Sequence, residues 1–196
     1  MTPWQLHLAK WQDCQRCALA QQRGRICLAR GAVPADVVFV GEAPGESEDT
    51  LGLPFKGPAG RLLDSIIAQS VPAGVSYAIT NLVACFPAEA KKTDKHEPAR
   101  EEIAACAPRL REFVEVCGAR LIAMVGSLAD DYVPSAFPDA TFYAGGGITG
   151  HPTLLRYTSI VHPASILRMP MAQRDMAVRR SIVTIASAVQ SLEGKV

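Results

Sequence analysis

No stretch of the 196 residues approaches the apolar length that a bilayer-spanning helix needs. The opening MTPWQLHLAKWQDC carries charges without the apolar core of a secretory leader, so the chain is expected in the cytoplasm. An excess of either charge is missing too: 20 Lys and Arg face 19 Asp and Glu, and a net charge of +1 gives no global argument for a polyanion partner. There is no GxGxxG and no P-loop pattern, so the glycines do not spell a nucleotide fingerprint. Internal repeats and a break in composition are also absent. With 48% hydrophobic and 20% charged residues the chain suits one well-buried core. The expectation is a single domain over residues 1–196 with an N-terminal arm at about 1–34.

What is present is organised around residues 36–64, DVVFVGEAPGESEDTLGLPFKGPAGRLLD. Residues 37–40 form a short apolar run of the buried parallel-strand type, and it stops at GEAPG, where two glycines and a proline force a tight turn. An acidic run, Glu46, Glu48 and Asp49, follows, then an exposed-looking Phe55 and a helix over 60–69. Further strands are read at 77–81, 121–125 and 158–161, with helices at 4–10, 98–117 and 170–192 and a short one after Gly126-Ser127. Residues 12–34 show neither period, and 134–157 form a glycine-rich excursion. Alternating strands and helices predict an α/β fold: a three-layer α/β/α sandwich with a central four-stranded parallel sheet.

Open α/β sheets bind ligands beyond the carboxyl ends of their strands. The tips of the first, second and fourth predicted strands bring together GEAPG with Phe55, Asn81 and His162. A backbone turn, a stackable ring, an amide and an imidazole are an inventory for holding a flat heterocycle with a lactam edge. Taken singly, each has an ordinary structural reading. His151 repeats the His-Pro dipeptide away from any strand tip and is set aside.

Six cysteines are many for a cytosolic chain of this length. Cys14 and Cys17 form a CxxC in irregular chain, which disfavours a redox dithiol, and Cys85 and Cys106 follow at a strand exit and on a helix. Four thiolates suit zinc or a 4Fe-4S cluster about equally. Cys27 and Cys117 have no partner at metal spacing and read as buried. Lys91, Lys92 and Lys95, and Arg168, Arg174, Arg179 and Arg180, are two basic groups suited to phosphates or to solvent.

GEAPGESEDTLGLPFKGPAGRLLD, NLVAC and HPASILR, in this order and with the four cysteines, resemble the iron–sulfur uracil-DNA glycosylases, family 4 of the uracil-DNA glycosylase superfamily. The resemblance runs from Cys14 to the last helix. It implies a base-excision DNA repair enzyme that hydrolyses the N-glycosidic bond of deoxyuridine, acting as a monomer on single- or double-stranded uracil-containing DNA. Cys14, Cys17, Cys85 and Cys106 would then ligate a 4Fe-4S cluster. Phe55 would stack on the flipped uracil, Asn81 would read its edge, and the backbone of Gly41, Glu42 and Ala43 would close the pocket. His162 would donate to O2 of the leaving base, while Glu42 and Glu48 would hold the attacking water. Ala43 stands where the best-known members place an aspartate, which implies a dissociative reaction. The loop of Ser165, Ile166, Leu167 and Arg168 would enter the duplex, with Ile166 or Leu167 as wedge.

The chain departs from the family between Cys85 and Cys106, where AEAKKTDKH is inserted. Lys91, Lys92 and Lys95 are expected to contact phosphates, with a nucleophilic His96 as a minor option. Two other classes stay open: an abasic-site or uracil-DNA binding protein that kept the fold without the catalysis, and a small-molecule enzyme on a flavodoxin-like sheet.

Overall fold

The computed structural model describes residues 1–87, 97–137, 141–142 and 155–193. Among them the order of elements is α1 (Pro3–Trp11), α2 (Leu19–Gln22), β1 (Arg30–Gly31), β2 (Val37–Gly41), α3 (Glu46–Leu51), α4 (Pro58–Ser70) and β3 (Tyr77–Asn81). Then follow α5 (Arg100–Cys117), β4 (Leu121–Val125), α6 (Ser127–Ala136), β5 (Thr141–Phe142), β6 (Arg156–Ile160), α7 (Pro163–Arg168) and α8 (Met171–Glu193).

The sheet order is β1-β3-β2-β4-β6-β5. The four inner strands are parallel, as the sequence predicts; β5 extends them in parallel and β1 adds an antiparallel edge. β2 is buried along its whole length, and its alternation splits the core in two. Val37 and Phe39 pack with Leu63, Ile66, Ile185 and Val189 of α4 and α8. Val38 and Val40 pack on the other face with Leu110, Phe113 and Val133 of α5 and α6. Helices thus cover both faces, which completes the three-layer sandwich.

Four sequence expectations change. Residues 12–34 are not merely irregular: α2 and β1 form there, and Leu19, Cys27 and Leu28 are buried. The acidic run is a helix, α3, because Glu48 reaches back to the backbone N–H of Gly45 (3.2 Å) and closes its first turn. Pro98 stands outside α5, whose first turn is closed instead by Glu102 accepting from Ala99 N–H at 2.8 Å. The segment after His162, read as a loop, is α7: Pro163 occupies its first turn and His162 caps it.

The chain leaves β2 for β3 on one side and returns to β4 on the other. The switch point therefore lies between β2 and β4. The tip of β4 separates those of β2 and β6, so the first and fourth predicted strands are not neighbours.

Candidate functional site

At this switch point a cleft of about 760 Å³ opens, within the range of small-ligand sites. Glu42, Ala43 and Phe55 line it from the β2 side, Gly126, Ser127 and Asp130 from β4 and α6, and His162, Ser165 and Arg168 from β6 and α7.

Phe55 is only 5% exposed, not the open aromatic that the sequence suggests. It holds a left-handed backbone (φ 54°), rare for an aromatic residue. Three neighbours impose it. Arg30 donates to Pro54 O (2.8 Å) and Phe55 O (3.1 Å) while paired with Asp64. Gly60 lies so near that a Cβ there would fall 1.9 Å from Phe55 O. Glu48 Oε1 accepts from Lys56 N and Gly57 N, each at 2.8 Å. With Glu48 Oε2 bonded to Gly45 N, both carboxylate oxygens serve the loop. Glu48 thus fixes the Phe55 turn while also lining the cleft.

Asn81 ends β3 and is 1% exposed, yet neither its Nδ2 nor its Oδ1 has a hydrogen-bond partner. Such an amide costs about 1–3 kcal/mol per unsatisfied group unless something completes it. It lies beside Phe55 across Gly41, where a Cβ would meet the ring at 2.4 Å and Asn81 Oδ1 at 2.6 Å. Asn81 is not among the residues at the cleft surface.

His162 Nδ1 accepts from Ala164 N at 3.2 Å, so in the neutral ring the proton sits on Nε2. Burial, helped by Arg168, holds its pKa below the usual 6.5 and keeps the ring neutral at pH 7. The ring is 5.9 Å from that of Phe55, tilted by 33°, and it packs on Gly126. Glu42 is half-buried, and burial, followed by the nearby charge of Glu97, pushes its pKa up to about 7. Of the residues expected to enter a duplex, Ile166 is wholly buried in the core and Leu167 half-buried. Any wedge is therefore Leu167. Arg174 is a brace: its guanidinium donates to Leu167 O at 2.6 Å. Lys91, Lys92, Lys95, His96 and His151 lie outside the described residues.

Sequence reasoning missed Asp130 and Glu97. Asp130 Oδ2 accepts from Ser159 Oγ (2.8 Å), its Oδ1 is buried without a partner, and burial raises its pKa. The available signal was its place in the first turn of a helix directly after a strand tip.

A second cavity is lined by Cys14, Cys17, Cys85 and Cys106, brought in by the N-terminal arm, the exit of β3 and α5. The arm is held to α5 by Glu112, which accepts from Trp11 Nε1 (2.9 Å) and pairs with His7 Nδ1 (3.0 Å) and Lys10. Burial pushes the Cys85 thiol up to about 11, opposed by Arg23, with Cys106 and Cys17 adding. Arg23 donates to Cys85 Sγ at 3.3 Å and to Cys14 O at 2.8 Å. Among the described residues no three His, Cys, Asp or Glu are grouped as a single metal ion requires. The four thiols that line this one cavity are a donor set whose chemistry suits zinc or an iron–sulfur cluster. Arg109 also lines this cavity, and its buried Nε has no partner. A sulfide or thiolate would supply one. Cys27 and Cys117 stand apart from the cavity, each pushed up to about 12 by burial.

The family described as the Uracil DNA glycosylase superfamily matches residues 29–183. A type-4 uracil-DNA glycosylase of Pyrobaculum aerophilum is 31% identical over 179 residues, 85% of this chain and 88% of its own length. Those of Sulfurisphaera tokodaii and Saccharolobus solfataricus are 34% and 37% identical, each over 62% of this chain. The chain spans about half the length of these two, 53% and 55%. The crystal structure of Pedobacter heparinus SMUG2 superposes with a TM-score of 0.54 at 11% identity, over 82% of this chain and 77% of that one. At that identity the likeness is one of fold.

Proposed function

Because the chain belongs to the uracil-DNA glycosylase superfamily, we propose that it is a DNA repair glycosylase that hydrolyses the N-glycosidic bond of deoxyuridine in DNA, releasing uracil and leaving an abasic site. The observation that carries this reading is the buried Asn81 amide with donor and acceptor both unpaired. Uracil offers an acceptor, O4, beside a donor, N3–H, and one amide completes both. Asn81 lies beside the Phe55 ring across Gly41, so a base held by the amide is in position to stack on that ring.

His162 supplies the electrostatic part. Its Nε2–H is fixed by the bond that Nδ1 accepts, and it donates to O2 as the glycosidic electrons move onto the base. A neutral donor serves here, because an imidazolium would sooner hand its proton over. Ala43 offers no carboxylate, so Glu42 is left to orient the water that captures the sugar at C1′. The hydroxyl stays on C1′, and the proton leaves by way of Glu42. Glu48 acts through the Phe55 turn. Leu167 fills the vacated stack, while Ser165 and Arg168 meet the phosphates beside it.

Cys14, Cys17, Cys85 and Cys106 would hold a 4Fe-4S cluster. When bound, it supplies a staple across three distant segments and a local negative charge, with no chemistry at the sugar.

An oligonucleotide carrying one deoxyuridine tests the reading. Incubation and then alkali should break the strand at that position, and Asn81→Ala should suppress the break. A wild-type protein that releases no uracil from single- or double-stranded DNA would overturn it in favour of an abasic-site binder.

A further inference from the structure

Arg109 stands between the two sites. It follows Cys106 by three residues on α5, is 1% exposed and lines the thiol cavity. Its guanidinium is spread over the strand that ends in Asn81. Nη1 donates to Thr80 Oγ1 (2.8 Å) and Leu28 O (3.3 Å); Nη2 donates to Leu82 O (3.1 Å) and, closer still, to Asn81 O. These four acceptors are all neutral. Among the described residues this buried cation meets only neutral oxygens, which is costly, and its remaining donor, Nε, is unpaired. Both deficits point to the cavity, where a group ligated by four thiolates would bring negative charge and sulfur acceptors.

We infer that Arg109 is a positioning residue that couples the thiol-lined cavity to Asn81, so that filling either site favours filling the other. Arg109 touches neither the base nor the sugar. Its fork sets the carbonyls of Asn81 and Leu82, and hence the pose of the amide, while its charge answers to what the cavity holds. Arginine suits this because its rigid fork holds Leu28 O and Thr80 Oγ1 on one nitrogen and the Asn81 and Leu82 carbonyls on the other, a span that a single ammonium does not cover. The inference rests on the proposed reading of Asn81 as the base-reading residue, and it makes the cluster more than a staple.

Coupling between sites is reciprocal, so it is readable at the cavity without measuring activity. The iron-loaded protein is exposed to a ferrous chelator, and iron release is followed by absorbance. One sample holds an oligonucleotide with 2′-fluoro-2′-deoxyuridine, whose glycosidic bond resists cleavage; the other holds the same oligonucleotide with thymidine. The uracil analogue should slow iron release about fivefold relative to thymidine, the low end of couplings between sites. Arg109→Lys keeps the charge but loses the fork, so the ratio should fall to about one at unchanged iron content. Should Arg109→Lys fail to hold iron, Thr80→Val frees the same guanidinium from one acceptor and should lower the ratio. A wild-type ratio in whichever variant holds iron overturns the inference. So does a wild-type protein that excises uracil yet shows no uracil-dependent change in iron release. Failure of the wild type to excise uracil at all strikes the functional reading instead.

Discussion

Gly41 and Phe55 meet so closely that a Cβ on the glycine would fall 2.4 Å from Cζ of the ring. The same Cβ would lie 2.6 Å from Asn81 Oδ1. One hydrogen at the end of β2 thus sets the spacing between the ring proposed to stack on the base and the amide proposed to read it. Gly41→Ala displaces both, and a displacement of about 1 Å costs about a hundredfold in rate. The variant should stay folded, because the ring lies at the rim of the core, and lose about that factor in uracil release. A variant within twofold of wild type would show that the ring and amide do not act together.

Much of the fold is legible in the sequence because its signals are local. β2, β3 and β4 are short, largely apolar runs that stop at glycine or asparagine, and 77–81 and 121–125 match β3 and β4 residue for residue, whereas β6 begins two residues before the predicted 158–161. What escaped needs partners far along the chain. β1 exists only by pairing with β3, and α3 hides in an acidic run whose third residue turns back on its own cap. That Glu48 also braces the Phe55 turn is invisible in the sequence, because the backbone N–H groups of Lys56 and Gly57 that it accepts from are set by the fold. Ile166 and Leu167 are indistinguishable as letters; only the packing of α7 onto the core sends one inward.

Glu42 makes the reaction depend on pH. Burial and Glu97 raise its pKa to about 7, so the carboxylate forms only as pH rises through that value. His162 moves the opposite way, below 6.5, and is already neutral there. Single-turnover rate should therefore fall about tenfold per unit below pH 7, with Glu42 setting the limb. Glu97→Gln removes one cause of the rise and should shift the limb towards lower pH. Glu42→Gln should erase it. A limb unmoved by Glu97→Gln and still present in Glu42→Gln would assign the water to another group.

The cysteines divide by environment. Serine at Cys14, Cys17, Cys85 or Cys106 should abolish the brown colour and the iron content, about four per chain for a 4Fe-4S cluster, in protein purified without oxygen. Cys27→Ser and Cys117→Ser should keep both. In the native protein these two thiols should also resist alkylation at pH 8, since burial holds their pKa near 12. Colourless wild-type protein with a single bound zinc would contradict the assignment.

Leu167 is the apolar side chain of α7 that remains partly outside the core. Leu167→Ala should slow cleavage in duplex DNA more than in single strands, because only the duplex has a stack to break, at a cost of about a few kcal/mol. Ile166→Ala should behave differently. Removing a fully buried side chain costs about 2–5 kcal/mol of stability, so the protein's Tm should drop. Equal losses on both DNA forms with Leu167→Ala would remove it as the wedge.

The strongest demand falls on His162. With no carboxylate at Ala43, the water is left to Glu42 and the donor to the leaving base is left to His162. Most of the acceleration is then assigned to stabilising the departing uracil anion, and one preorganised donor to a developing oxyanion is worth about 3–4 kcal/mol, a hundred- to a thousandfold in rate. His162→Ala should lower single-turnover cleavage by that factor while leaving affinity for uracil-containing DNA nearly intact, because the donor matters only once charge develops. Ala164→Pro offers a second probe. It removes the N–H that His162 Nδ1 accepts, frees the ring to take its other tautomer, and should lose part of the same factor with the imidazole still present. Enzyme must be in excess, since slow release of the abasic product would mask a fast chemical step. Near wild-type single-turnover rates in His162→Ala would place the leaving-group stabilisation elsewhere, with Asn81 as the next donor to test.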